Sequence, residues 1–222
     1  MTSPNDKPRV ATGSLIAGAL VLVAIAFSAG HWFAQRNVTA VSPPTVAGFL
    51  WPPPPAVDHL QLIDKHGAVF DQTRLDDHWT LVFFGYTHCP DICPTTMATL
   101  KQVRAQLVGH AAFERKGQVL FISVDAARDT PDVLRAYTEY FNPDFLAAAV
   151  PDAERYRLTE QFGIEVTKSS GATAGEYYYD HPAYILLIGP DRRIIGVFTP
   201  PLEAPDIAAQ VRTIVDWGEL TE

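Results

Sequence analysis

The two cysteines of this chain, Cys89 and Cys93, stand four residues apart in Gly85-Tyr86-Thr87-His88-Cys89-Pro90-Asp91-Ile92-Cys93-Pro94, and the chain has no others. Thiols at that spacing can close a disulfide, exchange one with a partner, or hold a soft metal ion. A bridge between them closes too small a loop to restrain the unfolded chain much, so a purely structural disulfide is the weakest of the three readings. Exchange needs a cysteine of lowered pKa, which the start of a helix can supply.

Metal binding needs a third donor. Two thiolates and an imidazole suit copper, the sulfurs favouring Cu(I) and the nitrogen helping to hold Cu(II). Of the seven histidines, His59, His66, His78 and His110 lie in polar contexts that read as solvated surface, and His31 ends an apolar run. His88 adjoins Cys89, but neighbouring side chains of an extended segment point apart. His181, in Tyr177-Tyr178-Tyr179-Asp180-His181-Pro182, precedes an apolar run and is the better candidate. Spacing alone does not pick it, since a lone histidine at a strand start is more often structural.

These residues need elements to position them. Thr80–Gly85 is a continuous apolar run, the mark of a strand covered on both faces, and Val119–Val124 is a second. Met97, Leu100, Val103 and Leu107 recur at helical spacing, with Pro94 suited to the first helical position and Cys93 at or just before the helix start. Thr130 and Pro131 read as N-cap and first residue of a helix carrying Val133, Leu134, Tyr137 and Phe141 on one face, and Asp152 opens a weaker helix to Phe162. Ala183–Ile188 and Ile194–Phe198 are strands joined by a Gly189-Pro190-Asp191-Arg192 turn, and Ile207, Val211, Ile214 and Val215 stripe a closing helix. Before all of these, Leu60–Ile63 and Ala68–Phe70 form a short hairpin.

The order βαβ, helix, ββα is the thioredoxin pattern, an α/β fold with a mixed sheet flanked by helices. It places the cysteines at a strand-to-helix junction. Thioredoxins set two residues between their cysteines where this chain has three, which weakens the redox analogy without removing it. Lys168–Glu176 (KSSGATAGE), just before His181, reads as a mobile segment able to gate it.

Composition bounds the rest. A formal charge of −8 over 222 residues, with Lys and Arg scattered singly, offers no basic field and excludes a nucleic-acid partner. Leu15 to Phe33 carries no Asp, Glu, Lys or Arg, and its 19 residues would span roughly 28 Å as a helix. It is longer than a signal-peptide core and reads as an N-terminal single transmembrane helix. Lys7 and Arg9 before it and Arg36 after it bias the N-terminus to the cytoplasm. The organisation expected is a leader (1–14), an anchor (15–33), a Pro-rich semi-rigid linker (34–57) and a thioredoxin-like domain (58–222). The location expected is a bacterial inner membrane, with the domain facing the periplasm, where thiols can be oxidised.

With these motifs in hand the chain resembles the Sco (SenC-type) copper-binding assembly proteins of cytochrome c oxidase. The resemblance rests on Gly85 to Pro94, on Ser123-Val124-Asp125 with Arg128-Asp129-Thr130-Pro131, and on Asp180-His181 before Leu187-Ile188-Gly189-Pro190-Asp191. It implies copper held by Cys89, Cys93 and His181, with Asp180 as a neighbour of the ligands. The partner implied is cytochrome c oxidase subunit II, whose dinuclear copper site would receive the metal or have its cysteines reduced; another periplasmic copper carrier is a candidate second partner. In the reductase alternative, Cys89 and Cys93 are the catalytic pair. Asp125, Arg128 and Asp129 either face the partner or form a helix-capping turn held by a local ion pair. Two departures stand out. Ala126-Ala127 replaces a more usual Pro and polar residue, and Pro182 follows the histidine at the place of the thioredoxin cis-proline, so a cis His181-Pro182 bond would favour redox chemistry.

Overall fold

The computed structural model describes residues 20–29, 42–50 and 52–221. The chain divides into two units, Met1–Ser42 and Pro43–Glu222. In the first, residues 20–29 form a helix (α1) whose apolar side chains, Leu20, Leu22 and Ile25 among them, are exposed. They are the middle of the expected 15–33 anchor; its two ends, with His31, and the leader lie outside the described residues. Among the described residues no helix is long and apolar enough to cross a membrane.

The second unit runs β1 (Leu62–Asp64), β2 (Val69–Phe70), β3 (Trp79–Gly85), α2 (Ile92–Gln106), α3 (Ala111–Lys116) and β4 (Gly117–Ser123). It continues with α4 (Pro131–Phe141), β5 (Leu146–Ala149), α5 (Asp152–Gln161), β6 (Thr167–Ser170), β7 (Tyr177–Asp180), β8 (Ile185–Ile188), β9 (Ile194–Phe198) and α6 (Ala204–Thr221). Seven strands make one mixed sheet in the order β2-β1-β5-β4-β3-β8-β9, and β6 and β7 pair separately. This is the expected α/β thioredoxin-like sheet flanked by helices.

The apolar runs explain the centre of the sheet. Every residue of β3 is buried, as are the last five of β4, because both strands are covered on two faces. Each fully buried Leu or Phe there contributes about 1.5–3 kcal/mol. Met97, Leu100 and Val103 bury the inner face of α2, which packs on α6 through the buried Ile207, Val211, Ile214 and Val215. Thr130 stands at the N-cap position of α4, without a side-chain capping bond, and Pro131 is the first helical residue, as expected. Besides the β6–β7 hairpin, α3, only six residues long, carries no signal along the chain, and neither does β5, whose Leu-Ala-Ala-Ala lacks β-branched residues and is a strand because it lies between β4 and β1.

Topology brings the site together. β3 and β4 are parallel, with Gly85 opposite Ser123, so the segments after both strands emerge at one end of the sheet. β8 is antiparallel to β3, with Ile185 opposite Phe83, so the segment before β8 arrives at that same end. The cysteine loop, the turn 125–129 and His181 therefore converge.

The second half of the Pro-rich stretch is part of the domain edge. Leu50 N–H donates to the Ile195 carbonyl (2.9 Å) and Val197 N–H to that of Gly48 (2.7 Å), so residues 48–50 line β9. Val57 is fully buried. An open sheet edge invites pairing, and this chain covers it with its own linker.

Candidate metal centre

β3 ends at Gly85, and α2 begins at Ile92, so Cys93 is the second helical residue and Pro94 the third, each slightly deeper in the helix than its spacing suggests. Cys93 is buried; Cys89, in the preceding loop, is partly exposed, and both are free thiols. The first N–H groups of a helix lack intrahelical partners. Asp91 makes no side-chain cap here, and the Cys93 N–H instead donates to Cys89 Sγ at 3.4 Å. A sulfur takes the place of a capping oxygen. Gly85 makes room for this: a β-carbon at that position would lie 2.8 Å from Cys93 Sγ.

His181 follows β7 directly, and its Nε2 lies 3.4 Å from Cys93 Sγ. The rings of Phe83 and Tyr86 stand edge-on to the imidazole, with centroids 5.9 and 6.0 Å away. The three donor atoms all lie within 4.8 Å of one another. Ligands about 2.0–2.3 Å from one central ion stand roughly 3.5–4 Å apart, so a soft ion fits with little movement. One side stays open. Cys89 and His181 are both partly exposed, and a groove of ≈ 690 Å³ lined by Ile164, Glu165, Asp180 and Tyr184 adjoins the histidine.

The two thiols differ sharply in acidity. The Cys93 thiol donates to Cys89, and with further help from His181 and the backbone N–H groups of Asp91 and Cys93 this outweighs burial and pulls the Cys89 pKa down to about 3. The same shared proton, with burial, pushes Cys93 far above the ordinary thiol range. At neutral pH the pair is one thiolate and one thiol. Such a pair can lose its remaining proton to gain a metal, or attack a disulfide through Cys89.

The structure brings Cys89, Cys93 and His181 together and sets the other candidates aside. His88 faces Asp129, its Nδ1 3.5 Å from Oδ1 and 3.1 Å from the Thr87 hydroxyl, away from the three donors. His110 is not a solvated surface residue: Nδ1 caps α3 by accepting from Phe113 N–H, and Nε2 lies 3.0 Å from Asp216. Asp180 accepts from the Ser169 hydroxyl across β6–β7 (2.5 Å), a hairpin bond. The segment expected to be mobile is largely that hairpin, with residues 171–176 as its turn. The His181-Pro182 peptide is trans, because the cis bond among the described residues is Pro200-Pro201, and the parallel with a thioredoxin cis-proline falls away.

Asp125 and Asp129 point inward, 0% and 1% exposed. Arg128 is ion-paired to Asp125, and Asp129 accepts from Thr87 N–H at 2.9 Å and the Thr87 hydroxyl at 2.6 Å. The turn is a brace. Gly85, Tyr86 and Thr87 belong to the sequence motif but carry no assigned role there, and only the Gly85 position, ending a strand, carries a local hint of one.

A family model described as SCO1/SenC matches residues 52–216. A SCO2-like protein of Rickettsia typhi is 30% identical over 157 residues, 68% of this chain and 74% of that protein. The structure of Bradyrhizobium japonicum ScoI with copper bound is similar at a TM-score of 0.62, with 31% identity, covering 71% of this chain and 98% of that one. The solution structure of apo Sco1 from Thermus thermophilus gives a TM-score of 0.64 and 30% identity, covering 79% and 97%.

Proposed function

We propose, from the premise that this chain belongs to the SCO1/SenC family, that it carries copper on Cys89, Cys93 and His181 and delivers it to the dinuclear copper site of cytochrome c oxidase subunit II during assembly. The observation that carries this reading is the three-donor cluster, within 4.8 Å, at the open end of the sheet. ScoI of Bradyrhizobium japonicum, similar over most of the domain, has copper bound. Copper is here the cargo. Cys89 is already ionised, Cys93 gives up its proton as the ion arrives, and His181 Nε2 closes the set. Because two of the donors are partly exposed, a partner's soft ligands can replace them one at a time.

The apolar, exposed side chains of α1, within a longer uncharged stretch, support a single membrane anchor. On this reading the domain faces the periplasm from a bacterial inner membrane.

One observation favours a second reading, thiol-disulfide exchange with the oxidase's copper-site cysteines. A partly exposed thiolate beside a buried thiol is the arrangement of an attacking and a resolving cysteine. Cys89 would attack the partner's disulfide, and Cys93 would then release the mixed disulfide. The partner gains two electrons as Cys89 and Cys93 become a disulfide.

The test mixes copper-loaded protein with the oxidised and with the reduced copper-site domain of subunit II, following metal and thiols separately. Transfer of copper to the reduced domain supports delivery; thiols changing while copper stays supports exchange. A His181→Ala variant that binds Cu(II) as tightly as the parent would refute the three-donor site.

A further inference from the structure

Two segments distant in sequence must meet for the three donors to gather: the cysteine loop after β3, and the β6–β7 hairpin that ends at His181. The hairpin is a two-stranded sheet of its own, outside the seven-stranded one. Its place is set by side chains, and they converge on the turn 125–129. On one side of the turn Asp129 holds Thr87 of the cysteine loop and also accepts from the Ser123 hydroxyl at 2.5 Å. On the other side the Tyr177 hydroxyl of β7 donates to the buried Asp125 at 2.9 Å.

Arg128 joins the two sides. Its Nε pairs with Asp125, and its Nη1 donates to the Tyr177 carbonyl at 3.3 Å. The guanidinium carbon lies 3.8 Å from the Tyr177 ring centroid and 5.7 Å from that of Tyr86. Tyr86 stands edge-on both to His181 and to Tyr179, the latter at 5.7 Å. A second cation, Arg155, lies 4.9 Å from the Tyr179 ring while its Nε donates to the Val124 carbonyl, which ties the hairpin to the strand end just before the turn.

We propose that Arg128 is the positioning residue of the copper site, fixing the β6–β7 hairpin so that His181 Nε2 stands within reach of the two sulfurs. This rests on the copper reading above. Arg128 makes no contact with the three donors; it acts through Tyr177 and Tyr86. Arginine suits the task because one planar group can pair with a carboxylate, donate to a carbonyl and stack on a ring, whereas an ammonium has no plane to stack. The two cysteines are held by their own loop and helix. Loosening the hairpin therefore weakens the ion that needs the imidazole, Cu(II), more than the ion that two sulfurs favour, Cu(I).

The test uses the full chain in detergent, with Arg128→Lys, His181→Ala and the double variant, since truncating Arg128 to Ala would strand the buried Asp125 carboxylate. Cu(II) and Cu(I) affinities are measured by competition, and the nitrogen superhyperfine pattern of bound Cu(II) by paramagnetic resonance. Arg128→Lys is expected to lower Cu(II) affinity about 10-fold or more, to weaken the nitrogen pattern, to lower Cu(I) affinity by less, and to add nothing in the His181→Ala background. Cu(II) affinity within twofold of the parent with the nitrogen pattern intact overturns the inference, as does an additive effect in the double variant or an equal loss for both ions. If Arg128→Lys does not fold, Tyr177→Leu, which removes the ring on which Arg128 stacks and keeps the Arg128–Asp125 ion pair, carries the same expectation, and an unchanged Cu(II) affinity and nitrogen pattern in it overturns the inference. If His181→Ala alone keeps the parent's Cu(II) affinity, it is the three-donor reading that has failed, and the two failures are told apart.

Discussion

Gly85 closes β3 directly against the buried cysteine, and its backbone lies outside the left-handed region, so alanine there meets a packing obstacle only. A β-carbon would stand 2.8 Å from Cys93 Sγ, 3.0 Å from a ring carbon of Phe121 and 3.1 Å from one of Phe83. Non-bonded heavy atoms settle at about 3.5–4.0 Å, so the sulfur must give way by roughly 0.7–1.2 Å. Metal-ligand distances tolerate about 0.2 Å. The two rings, fixed in the core, cannot absorb the shift instead. Overpacking costs about 1–3 kcal/mol, partly offset by about 0.4–1 kcal/mol from a stiffer unfolded chain. The metal-free Gly85→Ala protein is thus expected to melt up to roughly 10 °C lower, and its Cu(I) affinity to fall about 10–100-fold. A competition titration and a thermal melt measure both. Gly196→Ala is the control, since its β-carbon would press on Leu187 at 3.1 Å, in the sheet but away from the donors; it should lose stability and keep its affinity. A Gly85→Ala protein with the parent's affinity and melting temperature would show that nothing crowds the Cys93 sulfur and would refute the argument.

The asymmetry of the thiols predicts that alkylation of metal-free protein occurs at Cys89, at a rate nearly flat from about pH 5 to 8, where an ordinary thiol speeds up with pH; mass spectrometry of the labelled peptide checks the site, and faster labelling of Cys93 would contradict it. The folded pKa of Cys89 is depressed, so the stability its ionisation contributes is complete above the ordinary value of 9.0 and is lost as pH falls toward about 3. Cys93, raised, works in the other direction: folding keeps it protonated, and the folded state loses stability as pH rises above 9.0. Urea midpoints of the metal-free parent, compared with those of a Cys89→Ala/Cys93→Ala double variant, should accordingly show a pair contribution that rises with pH up to about 9 and then declines. Asp129→Ala leaves three donors without their acceptor, each costing about 1–3 kcal/mol where buried; an unfolding free energy from urea titration lowered by about 3 kcal/mol is expected, against about 0.5 kcal/mol or less for the exposed Glu139→Ala. An unchanged Asp129→Ala midpoint would mean that the turn does not brace the loop.

Much of the domain is legible along the chain because its signals are local. The run Thr80–Gly85 announces a doubly covered strand and Thr130-Pro131 a helix start, each found within a residue, and the stripe from Ile207 to Val215 announces a closing helix that runs further in both directions, Ala204–Thr221. β5 is not legible, since Leu-Ala-Ala-Ala becomes a strand only when β4 and β1 supply partners on both edges. The β6–β7 hairpin escapes for a similar reason. Ser, Gly and Ala between residues 168 and 176 look like loop, but Thr167–Ser170 pairs with Tyr177–Asp180, whose tyrosines are held by Arg128 and Arg155.

The sequence by itself determined that a reactive dithiol stands at a strand-to-helix junction, because hydrophobic period and turn chemistry are properties of neighbouring residues. It also supplied the motifs by which His181 is recognised. It could not make a site of them. The third donor arrives from 88 residues away, and what brings it to 3.4 Å from Cys93 is the antiparallel pairing of β8 with β3 together with the Asp125–Asp129 brace. Only the tertiary structure decided that His88 turns to Asp129 while His181 turns to the sulfurs, and that one sulfur is a thiolate and the other a thiol. Those properties depend on distance and burial, which the chain acquires on folding.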